Sequence, residues 1–183
     1  MLEPMLASLA DAPLDDPNLV YEPKYDGIRA IVEVGDGDVR LWSRLGNEKT
    51  AQFPEIAAAL KQWARRLKAP LVLDGEIVAL DDKGNPAGFQ NLQGRIHLQT
   101  PTRPTGPTSQ TALILFDILK DGRTDLRNRP LTERRARLEK IVGKGTPVIR
   151  ISRQVRGDGR PLMDEAKQQG WEGLIAKDAA SKY

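Results

Sequence analysis

The stretch Glu22-Pro23-Lys24-Tyr25-Asp26-Gly27-Ile28-Arg29 concentrates reactive side chains at the mouth of a strand-like run. Lys24 stands between a proline and a glycine-containing turn, so its amine is held at the edge of a sheet rather than along a helix. An amine held near other cations, or partly removed from water, sheds its proton more easily and becomes a nucleophile. Glu22 and Asp26 bring acceptors close, and Arg29 brings a bidentate donor suited to phosphate or ribose. Asp74 and Glu76 are two apart in an extended run and so share one face of a strand. Paired carboxylates there repel unless a cation neutralises them, a task that suits Mg²⁺. Phe116-Asp117 ends the apolar run Leu113-Ile114-Leu115, and Glu172 and Lys177 bound another short run. Taken one at a time, these features also fit a charged turn, a solvent-facing acidic pair, a core phenylalanine and a solubilised strand end.

Hydropathy patterning predicts strands over 28–34 and 39–42, joined by the hairpin signal Gly35-Asp36-Gly37-Asp38, and further strands over 71–80, 111–119, 148–155 and 171–177. Helices are predicted over 54–67, with Ile56, Leu60, Trp63 and Leu67 on one stripe, over 132–142 with Leu138, Ile141 and Val142, and over 161–169 ending at Gly170. Strands grouped with tight hairpins point to an α+β fold of mostly antiparallel sheets with flanking helices. No repeat or linker divides the chain, so residues 1–183 read as one domain, and the Pro-rich stretch 101–110 reads as a mobile surface loop.

Of 183 residues, 39% are hydrophobic and 29% charged, a globular composition with a formal charge of +3. The absence of cysteine excludes disulfides, thiol catalysis and cysteine-ligated metal centres. His97, the single histidine, makes a transition-metal site unexpected and reads as a surface or loop residue. Trp42, Trp63 and Trp171 read as core. No GxxxxGK[ST] loop is present, so phosphate binding would rest on Lys, Arg and metal. Between Arg123 and Arg160, twelve Lys or Arg face four Asp or Glu, leaving the rest of the chain net negative. Such a segment attracts polyanions, or is simply a solvated Arg-rich surface. No apolar run is long enough for a membrane span, and Glu3 and Pro4 stand where a signal peptide would be basic and then apolar. A soluble cytoplasmic protein is the expectation.

The segment Lys24-Tyr25-Asp26-Gly27-Ile28-Arg29 resembles the KxDGxR motif of the covalent nucleotidyltransferases: DNA ligases, RNA ligases and mRNA capping enzymes. Further resemblances follow in the family's order: Ser43-Arg44, Leu73-Asp74-Gly75-Glu76, Leu115-Phe116-Asp117 and Glu172-Gly173-Leu174-Ile175-Ala176-Lys177. Pro4-Met5-Leu6-Ala7 and Phe89-Gln90-Asn91-Leu92-Gln93-Gly94-Arg95 look most like the ligase module of bacterial multidomain end-joining ligases. The resemblance implies that Lys24 attacks the α-phosphate of ATP, expels pyrophosphate and holds AMP as a phosphoramidate. It implies nucleotide contacts from Glu22, Tyr25, Arg29, Arg44, Glu76, Phe116 and Lys177, with Phe116 stacked on the purine. Mg²⁺ or Mn²⁺ would lie near Glu76, Glu172 and Asp74, and Arg44, Arg150 and Arg153 would contact DNA.

The partner so implied is nicked or broken duplex DNA, in the repair and recombination of bacterial DNA beside the nucleoid. AMP passes to a 5′-phosphate and is then displaced by a 3′-hydroxyl. Only 23 residues precede Lys24, which disfavours the NAD-dependent ligases and favours ATP. Family members carry a further two-lysine motif and an OB domain beyond Lys177; the sequence stops at Tyr183, so a monomeric, truncated adenylation domain of impaired activity is expected. A non-catalytic nucleic-acid-binding fragment and an RNA-ligase or capping-type nucleotidyltransferase are the alternatives.

Overall fold

A computed structural model describes residues 2–96 and 110–183. In chain order its strands are β1 (Leu19–Pro23), β2 (Ile28–Gly35), β3 (Asp38–Ser43), β4 (Leu71–Leu80), β5 (Pro86–Ala87), β6 (Thr111–Asp121), β7 (Thr124–Asp125), β8 (Ile149–Ile151), β9 (Val155–Arg156) and β10 (Leu174–Asp178). Its helices are α1 (Pro54–Ala64), α2 (Gln93–Ile96), α3 (Leu131–Val142) and α4 (Arg160–Gln169). The β2–β3 hairpin turns on Asp36 and Gly37, both at positive φ (53° and 83°), the conformation whose twist matches the flanking strands.

The larger sheet has seven strands in the order β3-β2-β4-β6-β7, with β5 added to β4 and β8 running parallel to β6. The smaller is antiparallel, in the order β10-β1-β9. The chain passes from the small sheet to the large one between Pro23 and Ile28, so Lys24 lies where the two meet. Alternation along β4 sends Leu71, Leu73, Ile77 and Ala79 into the main core, where Ile56, Leu60 and Trp63 of α1 and Leu138 and Val142 of α3 pack against them. Each such side chain contributes roughly 1.5–3 kcal/mol by leaving water. That burial anchors the scaffold, and the residues between them, Asp74, Glu76 and Val78, are left for the opposite face.

The α+β, mainly antiparallel architecture agrees with the patterning, and several local expectations are corrected. The run 148–155 is two strands: β8 joins β6, and the chain then crosses to the small sheet as β9. Glu172 precedes β10 rather than opening it, in a loop where Gly173 has φ 133°. β1, four of whose five residues are buried, carried no separate signal. Arg134 and Arg135 are buried on α3 rather than solvated, and others of the basic segment are ion-paired, including Arg127 with Asp125, Arg137 with Asp121 and Arg160 with Asp158. Trp63 is core, whereas Trp42 and Trp171 are half-buried. His97 and all but the last residue of the Pro-rich stretch 101–110 lie outside the described residues. No helix among the described residues is long and apolar enough to cross a membrane.

Candidate active site

Lys24 is tied to the small sheet by its own backbone, its N–H donating to the Gly173 carbonyl at 2.9 Å. That bond brings the Lys24 turn beside the loop carrying Glu172, and the two side chains meet: Lys24 Nζ lies 2.5 Å from Glu172 Oε2. Both are about half exposed (48% and 45%), so the pair borders solvent and a ligand can reach it. The turn is pressed onto β4 at Gly27, where a Cβ would lie 2.2 Å from the Ile77 carbonyl oxygen; only glycine allows that approach. Asp26 fixes the other side of the turn by accepting the Phe89 N–H at 2.9 Å.

Beyond the turn, β2 stands in register with β4, Arg29 opposite Glu76 and Ile31 opposite Asp74. Arg29 grips Asp74 with two hydrogen bonds, Nε to Oδ1 at 2.6 Å and Nη2 to Oδ2 at 2.7 Å. Asp74 is fully enclosed, and its Oδ2 also accepts the Tyr183 hydroxyl at 2.5 Å. Both Asp74 oxygens are thus engaged with side chains, so its visible role is to orient Arg29 rather than to face a metal ion. Burial opposes the Arg29 charge, but the bonds to Asp74 outweigh it and hold the guanidinium above the ordinary arginine value. Glu76 has no such clamp. Burial, countered by Arg29 and reinforced by Asp74 and Asp26, pushes its carboxyl up to about 8.

Phe116 sits in a β-bulge. Leu115 is opposite Gly75 and Asp117 is opposite Asp74, which leaves Phe116 as the extra residue, free of a cross-strand partner. Its ring has the Arg29 guanidinium and the Lys177 ammonium each 4.6 Å from its centroid. Lys177 in turn reaches Glu22 Oε1 at 3.1 Å, as do Gln154 Nε2 at 2.9 Å and Arg135 Nη1 at 3.8 Å. Glu22 is 2% exposed, a buried carboxylate held by one cation from the small sheet, one from α3 and the neutral amide of Gln154. The Tyr25 ring packs against Val78, Leu80, Ala112 and Ile114, and burial raises its hydroxyl above the ordinary phenol value. Tyr25 therefore contributes an apolar wall to the site.

Lys24, Glu22, Arg29, Asp74, Glu76, Phe116, Glu172 and Lys177 are linked by these contacts, by register and by adjacency along the chain into one cluster where the two sheets meet. Three expected residues stand apart from it. Arg44 is on the exposed turn after β3 with no ion-pair partner among the described residues. Arg150 donates to the Pro147 and Gly84 carbonyls at 2.8 and 2.7 Å, tying β8 to the β4–β5 turn. Arg153 is ion-paired with Glu165 of α4. Conversely, Arg135, Gln154, Tyr183 and the Met5 carbonyl, which accepts from Arg29 at 3.1 Å, belong to the cleft's framework without any motif to announce them. Among the described residues no three carboxylate or imidazole groups are gathered to hold a metal. Magnesium needs only one or two protein carboxylates when phosphates supply the rest, so Glu76 and Glu172 fit that use.

A family model described as ATP dependent DNA ligase domain matches residues 4–183. The chain belongs to that family. It is 35% identical over 189 residues to the multifunctional non-homologous end joining protein LigD of Pseudomonas aeruginosa, covering 100% of this chain and 20% of that protein. A DNA ligase of Pyrobaculum calidifontis is 36% identical over 171 residues, covering 90% of this chain and 28% of the relative. The solved structure of mycobacterial DNA ligase D complexed with ATP and MES superposes with a TM-score of 0.80 at 34% identity, covering 100% of this chain and 56% of that one. The chain thus spans between a fifth and somewhat over a quarter of these curated relatives. The antiparallel, two-sheet fold described above is that of the ligase nucleotidyltransferase domain.

Proposed function

We propose that this chain carries the adenylation site of an ATP-dependent DNA ligase, with Lys24 as its nucleophile. The reading rests above all on the half-exposed Lys24–Glu172 pair and the Phe116 ring approached by two cations, both placed where the two sheets meet. ATP enters with its purine over Phe116 and its amine edge toward Glu22. Arg29 and Lys177 meet the ribose and phosphates, and Arg44 reaches the ribose or a DNA phosphate from its exposed turn. Ligand contact requires Arg29 or Lys177 to yield one face of the ring.

In the ion pair Lys24 Nζ is a hydrogen-bond donor, so its lone pair is not available for attack. Glu172 Oε2, 2.5 Å away, is the nearest acceptor for the proton that Nζ must shed. The freed nitrogen forms a bond to the α-phosphorus, the bond to pyrophosphate breaks, and pyrophosphate leaves. Mg²⁺ or Mn²⁺, held by Glu76 and Glu172, supplies charge neutralisation on the phosphates when bound. Ionised Glu76 suits that role, and a cation favours its ionised form. AMP then passes to the 5′-phosphate of nicked or broken duplex DNA, and a 3′-hydroxyl displaces it. The implied setting is a monomeric catalytic module acting in DNA repair in the bacterial cytoplasm, at the nucleoid.

The test is an intact mass after incubation with ATP and Mg²⁺. A gain of one AMP by the wild-type chain, lost in Lys24→Ala, is the expected result. An unmodified wild type across several divalent cations overturns the reading.

A further inference from the structure

Asp74 and Arg29 have a third partner that no motif includes. The Tyr183 hydroxyl donates to Asp74 Oδ2 at 2.5 Å and accepts the Met5 N–H at 3.1 Å, while the Met5 carbonyl accepts from Arg29 Nη2 at 3.1 Å. With the two Arg29–Asp74 bonds this closes a ring of hydrogen bonds: Tyr183 to Asp74, Asp74 to Arg29, Arg29 to Met5, Met5 back to Tyr183. The two ends of the described chain are thereby joined at a single guanidinium. Tyr183 is itself fixed from behind, its N–H donating to the Arg127 carbonyl at 2.8 Å and its ring lying 5.8 Å from the Arg134 guanidinium. Burial and the neighbouring Asp74 carboxylate raise its hydroxyl above the ordinary phenol value, so it stays a proton donor wherever Asp74 is ionised.

We propose that Tyr183 is a positioning residue of the nucleotide site, holding Asp74 and the Met5 peptide so that Arg29 is presented, in one orientation, to the phosphates of ATP. The inference rests on the nucleotide reading above and adds to it the group that sets its arginine. Without the hydroxyl, Asp74 Oδ2 loses a donor and the Met5 N–H loses its acceptor. The Arg29 side chain then gains freedom about the axis that its ligand would have to immobilise. The loss falls on binding, in ground state and transition state alike, rather than on the chemical step.

The experiment compares the whole chain with its Tyr183→Phe variant, which removes one oxygen and keeps the ring. ATP and adenosine binding are measured by calorimetry, alongside the thermal midpoint. ATP affinity is expected to fall roughly tenfold, the ordinary worth of a hydrogen bond to a charged acceptor, while adenosine, which lacks the phosphates, changes less than about twofold. In an Asp74→Asn background, where the tyrosine has lost its charged acceptor, the same change should cost less than about twofold more for ATP. Equal loss for ATP and adenosine marks a structural role and overturns the proposal. So does unchanged ATP affinity, or a full tenfold loss in the Asn background. Failure of the wild type to bind ATP instead overturns the nucleotide reading on which the proposal stands.

Discussion

Glu76 makes the stability of this fold depend on pH in a way that one substitution isolates. Its carboxyl lies on β4 across from Arg29, and burial lifts it from an ordinary 4.5 to about 8. Between those values the unfolded chain has released the proton and the folded chain has kept it. Folding therefore takes up a proton, and stability falls as pH rises. For these two values the loss between about pH 5.5 and about pH 7.5 is about 2–3 kcal/mol. Glutamine keeps the shape of the protonated acid and cannot ionise. Urea unfolding of wild type and Glu76→Gln, without nucleotide or divalent cation, should then show the variant gaining about 2–3 kcal/mol on the wild type across that interval. The titration of every other group cancels in the difference. Added Mg²⁺ should stabilise the wild type increasingly toward the upper end and leave the variant unmoved. Stability profiles that run parallel to within about 0.5 kcal/mol would refute the argument, because an ordinary, solvated carboxylate gives that result.

Lys24→Arg keeps a cation for Glu172 but removes the nucleophile, so mass spectrometry should find a folded protein with no AMP adduct and ATP affinity within about threefold of wild type. Arg134, 2% exposed, holds Asp117 with two bonds of 2.9 Å, and Arg134→Met should cost about 3–5 kcal/mol in urea unfolding by leaving that carboxylate buried alone. Replacing both partners, Asp117→Leu with Arg134→Met, should recover most of that loss. Gly27→Ala forces a Cβ into the Ile77 carbonyl and should cost about 1–3 kcal/mol. Its AMP labelling, measured well below the thermal midpoint, should fall further than the folded fraction does, because the Lys24 turn itself must move.

The sequence made legible those features that are local. The Asp36-Gly37 turn, the apolar stripe of α1 and the strand over 71–80 each follow from residues within a turn or two of one another; the turn and the strand form as read, while α1 stops at Ala64, so that Ile56, Leu60 and Trp63 share its stripe and Leu67 packs on the core from beyond its end. The motif residues Lys24, Arg29, Glu76, Phe116, Glu172 and Lys177 were legible for the same reason, since their spacing survives along the chain. What stayed hidden depends on which sheet a strand joins. No glycine or proline divides the run Val148 to Val155, yet Ile151 pairs with β6 and Val155 with β1. That crossing is what carries Gln154 to Glu22. Charge counting failed similarly on α3, where Arg134 and Arg135 are drawn inward by Asp117, Glu139 and the Ser152 carbonyl, partners that composition does not locate.

Phe116 shows why such sites resist reading even when their residues are known. A regular ladder between β4 and β6 that pairs Gly75 with Leu115 would pair Asp74 with Phe116, setting the ring directly across from a buried carboxylate. The bulge slips Asp117 into that place and frees Phe116 from pairing, so its ring can be approached by Arg29 from β2 and Lys177 from β10. No glycine or proline within β6 marks the insertion. Its physical origin is long-range: Asp117 is held by Arg134 of α3, and Asp74 is held by Arg29 and Tyr183. Two carboxylates that face each other in register each have their own guanidinium, and the aromatic residue between them in sequence is displaced into the cleft. The ring's position is thus a consequence of how two buried charges are neutralised, which is why substitutions at Arg134 or Tyr183, neither of them at the ring's edge, should be felt at the nucleotide.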